Sequence, residues 1–266
     1  MGAMPIHRIS VRDARRKVPN VLLMCLRARE NRRALALPLL LALSGCQAVQ
    51  TTTNGAQIRF IDASPDAPGL DFYTGNSALA YNLGFSYVTS YIPMDPGAYT
   101  ITANTAGSRQ VLSSAKATLT GASQYTVLVG NVAANLQQTI LKDQTEAAPT
   151  GQIDLRFLDQ ATRIGAIDIY LVPAGQKFTA ISPVLTNLNF PTNSGYLAVP
   201  TGAYSLVIVP AGTVPTAATV AIYTGPQVTY TAGSATTVVL VDQQLVTTPG
   251  VQVISAPDYT SPVATS

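Results

Sequence analysis

An all-β chain, two tandem immunoglobulin-like β-sandwich domains behind a cleaved lipoprotein signal peptide, is what this 266-residue sequence predicts. Three observations predict it. One unit is written twice along the chain. Each copy is a series of short runs rich in Val, Ile, Thr, Tyr and Leu, broken by Gly, Pro, Asn and Ser. No stretch after Cys46 carries a 3.6-residue apolar period.

The duplication is read residue by residue. Ile58-Arg59-Phe60-Ile61-Asp62 recurs as Leu155-Arg156-Phe157-Leu158-Asp159, and Leu70-Asp71-Phe72-Tyr73 recurs as Ile167-Asp168-Ile169-Tyr170. Asn82-Leu83 matches Asn187-Leu188, Tyr91 and Tyr99 match Tyr196 and Tyr204, and Val127-Leu128-Val129 matches Val239-Leu240-Val241. The offset grows along the chain, so the second copy carries insertions, which belong in loops. A period of roughly 100 residues is a domain duplication rather than a solenoid, whose units run about 20–50.

The first copy predicts strands near 57–62, 69–74, 87–92, 97–103, 110–119, 124–130 and 136–142. The second predicts them near 153–159, 166–172, 184–190, 195–199, 203–209, 218–223, 227–231, 236–242 and 251–254. Tyr204–Val209 and Thr236–Val241 are nearly continuous apolar runs, the pattern of strands buried on both faces. About seven strands in 100 residues is the sandwich signature; a closed barrel is the alternative. The expected boundaries are 1–45 leader, 46–56 tether, 57–145 first sandwich, 146–152 linker, 153–255 second sandwich and 256–266 flexible tail.

The leader is a secretory signal ending in a cysteine. Arg27, Arg29, Arg32 and Arg33 precede the apolar run Ala34–Leu43, and Leu43-Ser44-Gly45-Cys46 supplies small residues at the cut. This order looks like the lipobox of bacterial lipoproteins, with Cys46 as the lipidated first mature residue. The run is shorter than the roughly 20 residues a membrane span needs. The basic stretch before Met24 lacks a signal pattern, so Met24 is the expected start and residues 1–23 a start-site artefact. Gln47 after the cysteine leans, by analogy with sorting in diderm bacteria, toward the outer membrane.

Cleavage there changes the chemistry on offer. Nine of the sixteen Lys and Arg but two of the thirteen Asp and Glu precede Cys46, which leaves seven bases against eleven acids. A mildly acidic mature chain has no electrostatic footprint for nucleic acid. His7 and Cys25 are removed as well, so Ser-His-Asp triads, Cys-His dyads and His-bearing metal sites are excluded from the expected mature chain. No cofactor is implied.

The segment Arg59–Tyr73, which contains Asp62-Ala-Ser-Pro-Asp-Ala-Pro-Gly-Leu-Asp71, resembles the opening of a bacterial repeat family known as domain of unknown function 4397. Tyr91-Ile-Pro-Met-Asp-Pro-Gly-Ala-Tyr99 is similar to that family too. The second copy departs from it, with Gln160-Ala-Thr-Arg163 at its first turn, which predicts a different turn there. The resemblance implies an exported, surface-anchored protein and brings no activity, ligand or catalytic residue.

Two constellations remain. Asp62, Asp66 and Asp71 lie within ten residues, and paired carboxylates serve glycoside hydrolysis or calcium binding. Turn capping accounts for them more simply. Arg59, Asp62 and Asp71 recur as Arg156, Asp159 and Asp168, which predicts an Arg–Asp pair across a ladder within each copy. Tyr91, Tyr99, Tyr196 and Tyr204 suit either a sugar-stacking platform or a sandwich corner whose hydroxyl ties down a turn. The expectation is a non-catalytic structural or binding module of the envelope, with the membrane, through its lipid, and an envelope protein or polysaccharide as partners. The alternatives are a polysaccharide hydrolase using Asp62 and Asp71, and an adhesion or polymer-binding protein.

Overall fold

The computed structural model describes residues 55–244 and 250–260. Cys46, the leader, most of the tether and residues 261–266 lie outside them. The described strands fall within one compact unit, residues 50–266.

The first half contains β1 (Ala56–Asp62), β2 (Leu70–Thr74), β3 (Ser77–Leu83), β4 (Ile92–Met94), β5 (Gly97–Thr105), β6 (Val111–Leu119), β7 (Gln124–Gly130) and β8 (Gln137–Asp143). The second contains β9 (Gln152–Asp159), β10 (Ile167–Pro173), β11 (Leu185–Leu188), β12 (Asn193–Pro200), β13 (Gly202–Pro210), β14 (Tyr223–Tyr230), β15 (Ala235–Asp242) and β16 (Val251–Tyr259). Each half is a two-sheet sandwich. An inner sheet, β4-β1-β7-β8 or β12-β9-β15-β16, packs on an outer sheet, β3-β2-β5-β6 or β11-β10-β13-β14. The two-sandwich expectation is what forms, with one departure from all-antiparallel pairing: β1 runs parallel to β7, and β9 parallel to β15.

Three of the four apolar clusters among the described residues lie along this stack. Phe60, Phe72, Ile101 and Val127 fill the first sandwich; Phe157, Ile169, Ile208 and Val238 fill the second. A third lies between the halves, where Ile61, Leu128 and Leu141 meet Leu158, Val239 and Ile254. The inner sheets are therefore buried on both faces, which is why nearly every residue of β1, β7, β9 and β15 is buried, where a one-sided strand would alternate.

Four strand expectations change. β3 was not expected, because Ser-Ala-Leu-Ala-Tyr-Asn-Leu is poor in β-branched residues. Its signal was the turn, Gly75-Asn76, with Gly75 at φ 56° closing a β2–β3 hairpin. The strand expected at 87–92 shrinks to a single Val88–Ile61 bridge and the short β4. The strand expected at 218–223 forms only at Tyr223, where β14 begins; β14 takes in most of the strand expected at 227–231 and tolerates Pro226 because it is a sheet edge. Residues 256–259, expected in the tail, pair with β15 as the end of β16.

The ladders also correct the internal alignment. Phe60 pairs with Val127 and Phe157 with Val238, so Val127-Leu128-Val129 corresponds to Val238-Val239-Leu240, one residue before the match made on letters alone. The difference matters because a one-residue slip exchanges the two faces of a strand. In the corrected register Leu128 and Val239 both enter the core between the halves.

Because the halves share that core, residues 47–266 should unfold in one cooperative transition, with calorimetric and van't Hoff enthalpies equal. Leu128→Ala should lower stability by about 2–5 kcal/mol without splitting the transition. Two resolved transitions in the parent chain would contradict a shared core.

Candidate functional site

Inside the third core sits a polar cluster with near two-fold symmetry. Arg59 donates from Nε to Thr126 Oγ1 at 2.8 Å and from Nη1 to the Pro257 carbonyl at 2.7 Å, and pairs through Nη2 with Asp258. Arg156 repeats this in the other direction. It donates from Nε to Thr237 Oγ1 at 3.0 Å, from Nη1 to the Lys142 carbonyl at 3.0 Å and from Nη2 to Asp143 at 2.5 Å. Each arginine thus grips the last strand of the opposite half. Both are 2% exposed.

Tyrosine and threonine close the ring. Tyr91 covers the Arg59 guanidinium at 4.7 Å and donates to Asp143 at 2.8 Å; Tyr196 covers Arg156 at 4.7 Å and donates to Asp258 at 2.8 Å. Thr126 donates to Asp143 at 2.6 Å and Thr237 to Asp258 at 2.7 Å. Burial, with the facing carboxylates, pushes both tyrosine hydroxyls up, so they stay protonated and donate. Burial also raises the Asp258 carboxyl, against the pull of Arg59.

This corrects the expected Arg–Asp pairing within each copy. Arg59 and Arg156 pair with Asp258 and Asp143, not with Asp62, Asp71, Asp159 or Asp168. Asp143 and Asp258 escaped the reading of the sequence because they lie at the ragged end of the duplication, the second among residues assigned to the tail. The tyrosines divide. Tyr99 and Tyr204 make the expected corner, donating to the carbonyls of Asp95 and Pro200 at 2.8 Å. Tyr91 and Tyr196 are half-buried in the cluster, so the four do not form a common platform.

The aspartates of the first constellation do not meet in a cleft. Asp71 accepts from the backbone of Asn82 at 2.7 Å and of Gly107 at 2.9 Å, and Asp168 accepts from Asn187 and Gly212 at 2.9 and 2.8 Å. Each carboxylate staples a β-bulge to a hairpin turn. Asn82 and Asn187 recur because both adopt positive φ, 48° and 56°, which Asn tolerates. Asp66 accepts from the backbone of Ala133 at 2.8 Å.

Asp62 and Asp159 end the two central inner strands. Their Oδ1 atoms accept from Ser64 and Ala161, each at 2.9 Å, so the two first turns are built alike despite their different sequences. Their Oδ2 atoms are buried with no hydrogen-bond partner. Burial pushes Asp62 up to about 7 and Asp159 up to about 6, the charge of Asp242 adding to the second.

Two open recesses flank these groups. One, about 480 Å³, lies between the halves, lined by Asp66 and Val132 on one side and Thr162, Arg163 and Asp242 on the other. Asp242 is engaged there by the backbone of Thr162 at 2.8 Å and of Arg163 at 3.2 Å. The other, about 430 Å³, lies on the first half's outer sheet, where Tyr73, Tyr81 and Arg109 converge beside Asp71. Among the described residues no group of three or more His, Cys, Asp or Glu could hold a metal.

Two predictions follow from these arrangements. Arg156→Ala strands Asp143 in a buried site and should cost about 3–5 kcal/mol in denaturant titration; a loss below about 1 kcal/mol would show that the cluster does not bind the halves. Asp62 and Asp159 bind protons more tightly folded than unfolded, so their contribution to stability is full below their ordinary value of 3.8 and is lost as pH rises through about 6 to 7. Asp62→Asn should flatten the fall in melting temperature between pH 4 and 7; an unchanged slope would refute the assignment.

No curated protein matches the chain. Solved structures that resemble it include the Bacillus anthracis TIE protein, at 10% identity and TM-score 0.24, covering 72% of this chain and 34% of that one. A family 26 carbohydrate-binding module of Eubacterium rectale Amy13K, in complex with maltoheptaose, matches at 14% identity and TM-score 0.22, covering 77% of this chain and 98% of that one. A streptococcal virulence factor described by its alpha-glucan binding matches at 7% and 0.22, covering 58% and 80%. The chain spans about a third of the length of the TIE protein. Overlaps this small carry neither the arrangement of the sheets nor a function to this chain. The family model described as "Domain of unknown function (DUF4397)" matches residues 56–170, from β1 through the linker to β10. Over that stretch, which includes Arg59, Asp143 and Arg156, the chain resembles the DUF4397 family, as its opening motifs imply.

Proposed function

We propose that this protein is a non-catalytic binding module of the bacterial envelope, held to a membrane by lipid on Cys46. One observation carries the reading. The carboxylates that the sequence offers for chemistry are engaged elsewhere: Asp71 and Asp168 staple turns through both oxygens, Asp143 and Asp258 hold the halves together, and Asp62 is fully buried. A glycosidase pair needs two carboxyls facing one open cleft, about 5–9.5 Å apart. Asp62 lines neither recess. What faces solvent is loops, strand edges and shallow recesses, the equipment of recognition.

The anchor confines such a module to one surface. A lipoprotein cysteine carries two or three acyl chains, enough for stable attachment where one chain is marginal. The resemblance to an exported repeat family and the basic, apolar and small-residue order before Cys46 both support this location.

Lipid-free residues 47–266, incubated with purified envelope polysaccharide, should release no reducing ends, yet should co-sediment saturably with intact envelopes. Release of reducing ends that Asp71→Asn abolishes would favour the hydrolase. In cells, Cys46→Ala should move the protein from the membrane to the soluble fraction; unchanged membrane association would sink the anchor.

A further inference from the structure

The two halves treat the outer face of their outer sheets differently, and the difference is informative. In the second half this face is apolar and closed. Tyr170 and Val172 on β10 and Val207 and Val209 on β13 form a small core, covered by Phe178, Ile181 and Ala221 from loops lengthened in that copy. The Phe178 ring stands edge-on to Tyr170, centroids 4.7 Å apart at 83°.

In the first half the corresponding positions hold Tyr73, Thr102 and Asn104; Tyr73 and Asn104 are buried, and the solvent-facing side chains around them are those of Tyr81 and Arg109. The ladders equate Tyr170 with Tyr73, Val207 with Thr102 and Val209 with Asn104. No inserted loop covers them among the described residues. Tyr81, on β3, takes the edge-on place beside Tyr73, at 6.1 Å and 87°, and remains 69% exposed. Arg109 lies with its guanidinium 4.6 Å from the Tyr73 ring and makes no ion pair with a described residue. Asn104, 3% exposed and opposite Asp71 in the ladder, keeps an Oδ1 with no partner.

These features define an occupant. The duplicate's face is apolar and covered by segments of its own chain, and this one has no such cover among the described residues. This one offers an exposed ring for stacking, polar neighbours for hydroxyl groups and a solvent-facing cation. Asp71, the acid in the recess, is buried with both oxygens engaged by backbone N–H groups, so the accessible charge is that of Arg109. We infer that the recess at Tyr81 and Arg109 binds a saccharide ring bearing a carboxylate, that is, a uronate unit of an acidic polysaccharide. The ring stacks on Tyr81 and the carboxylate takes the two-pronged hydrogen bonding of the Arg109 guanidinium. The recess volume, about 430 Å³, is in the range of small-ligand sites.

This inference rests on the binding-module reading, and the test separates them. Residues 47–266 are run through gels containing polygalacturonate, alginate or hyaluronate, and through gels containing polygalacturonate after methyl esterification. Retardation is expected in at least one acidic polymer, weakened at least tenfold by raising salt from 50 to 500 mM, and lost when the carboxylate is esterified. Tyr81→Ala and Arg109→Ala should each weaken it at least tenfold while leaving the melting temperature within about 2 °C, since both side chains are exposed. Equal retardation by the esterified polymer, or no retardation in any gel, overturns the uronate assignment. Retardation that survives both substitutions overturns the site while keeping a binding module. Failure of the module itself would appear instead as loss of saturable co-sedimentation with envelopes.

Discussion

The exchange of arginines between the halves is the constraint around which this molecule is organised. A guanidinium buried at 2% exposure is tolerated only when its N–H groups and charge are matched. Arg59 finds that match in β16 and Arg156 finds it in β8. Within its own half each arginine has a cluster carboxylate only at 3.9 Å, Arg59 from Asp143 and Arg156 from Asp258, while its short ion pair is made to the other half. The two sandwiches therefore complete each other, and the inner sheets gain a second buried face. Their burial follows: β1, β7, β9 and β15 place buried residues on both faces, the cluster among them.

Such a cluster adds definition more than net stability. Moving two ion pairs out of water costs several kcal/mol per ion, which their attraction offsets only with close geometry and full hydrogen bonding. Here both conditions hold, with Thr126, Thr237, Tyr91 and Tyr196 occupying the remaining donors and acceptors. The apolar contacts around it, Ile61, Leu128, Leu158 and Val239 among them, supply non-directional attraction. Apolar surfaces alone would permit the two sheets to slide or rotate. Two arginines that must each reach a named carboxylate on the other sheet fix one register.

Much of the fold was legible because its signals are local. Val-rich runs, Pro-Gly turns and a duplicated Arg-Phe-x-Asp segment announce strands, turns and two copies. The Tyr99 and Tyr204 corners and the capping of turns by aspartate were legible for the same reason. What was not legible is set by distance. The partners of Arg59 are Thr126, Pro257 and Asp258, the last two about 200 positions away, and no ladder rule within one copy leads to them. β3 was hidden by its Ala- and Asn-containing sequence, since pairing with β2 rather than propensity makes it a strand. The recess at Tyr73, Tyr81 and Arg109 joins three strands' worth of sequence, so its residues appear scattered until β2, β3 and the β5–β6 turn are brought together.

Duplication followed by division of labour accounts for the rest. The inner faces of both copies keep the same residue types at the same positions, because a change in one half must be answered in the other: Arg59 with Arg156, Thr126 with Thr237, Tyr91 with Tyr196, Asp143 with Asp258. The outer faces carry no such coupling and have diverged. One holds Val207, Val209 and a covering Phe178; the other holds Thr102, Asn104 and an exposed Tyr81. A surface released from reciprocal constraint can change without unfolding the protein, and a duplicated chain has two of them. With the inner faces bound to each other and the β10–β13 part of one outer face covered by its own loops, the recess at Tyr81 and Arg109 is where the first half's outer sheet meets solvent without such a cover among the described residues.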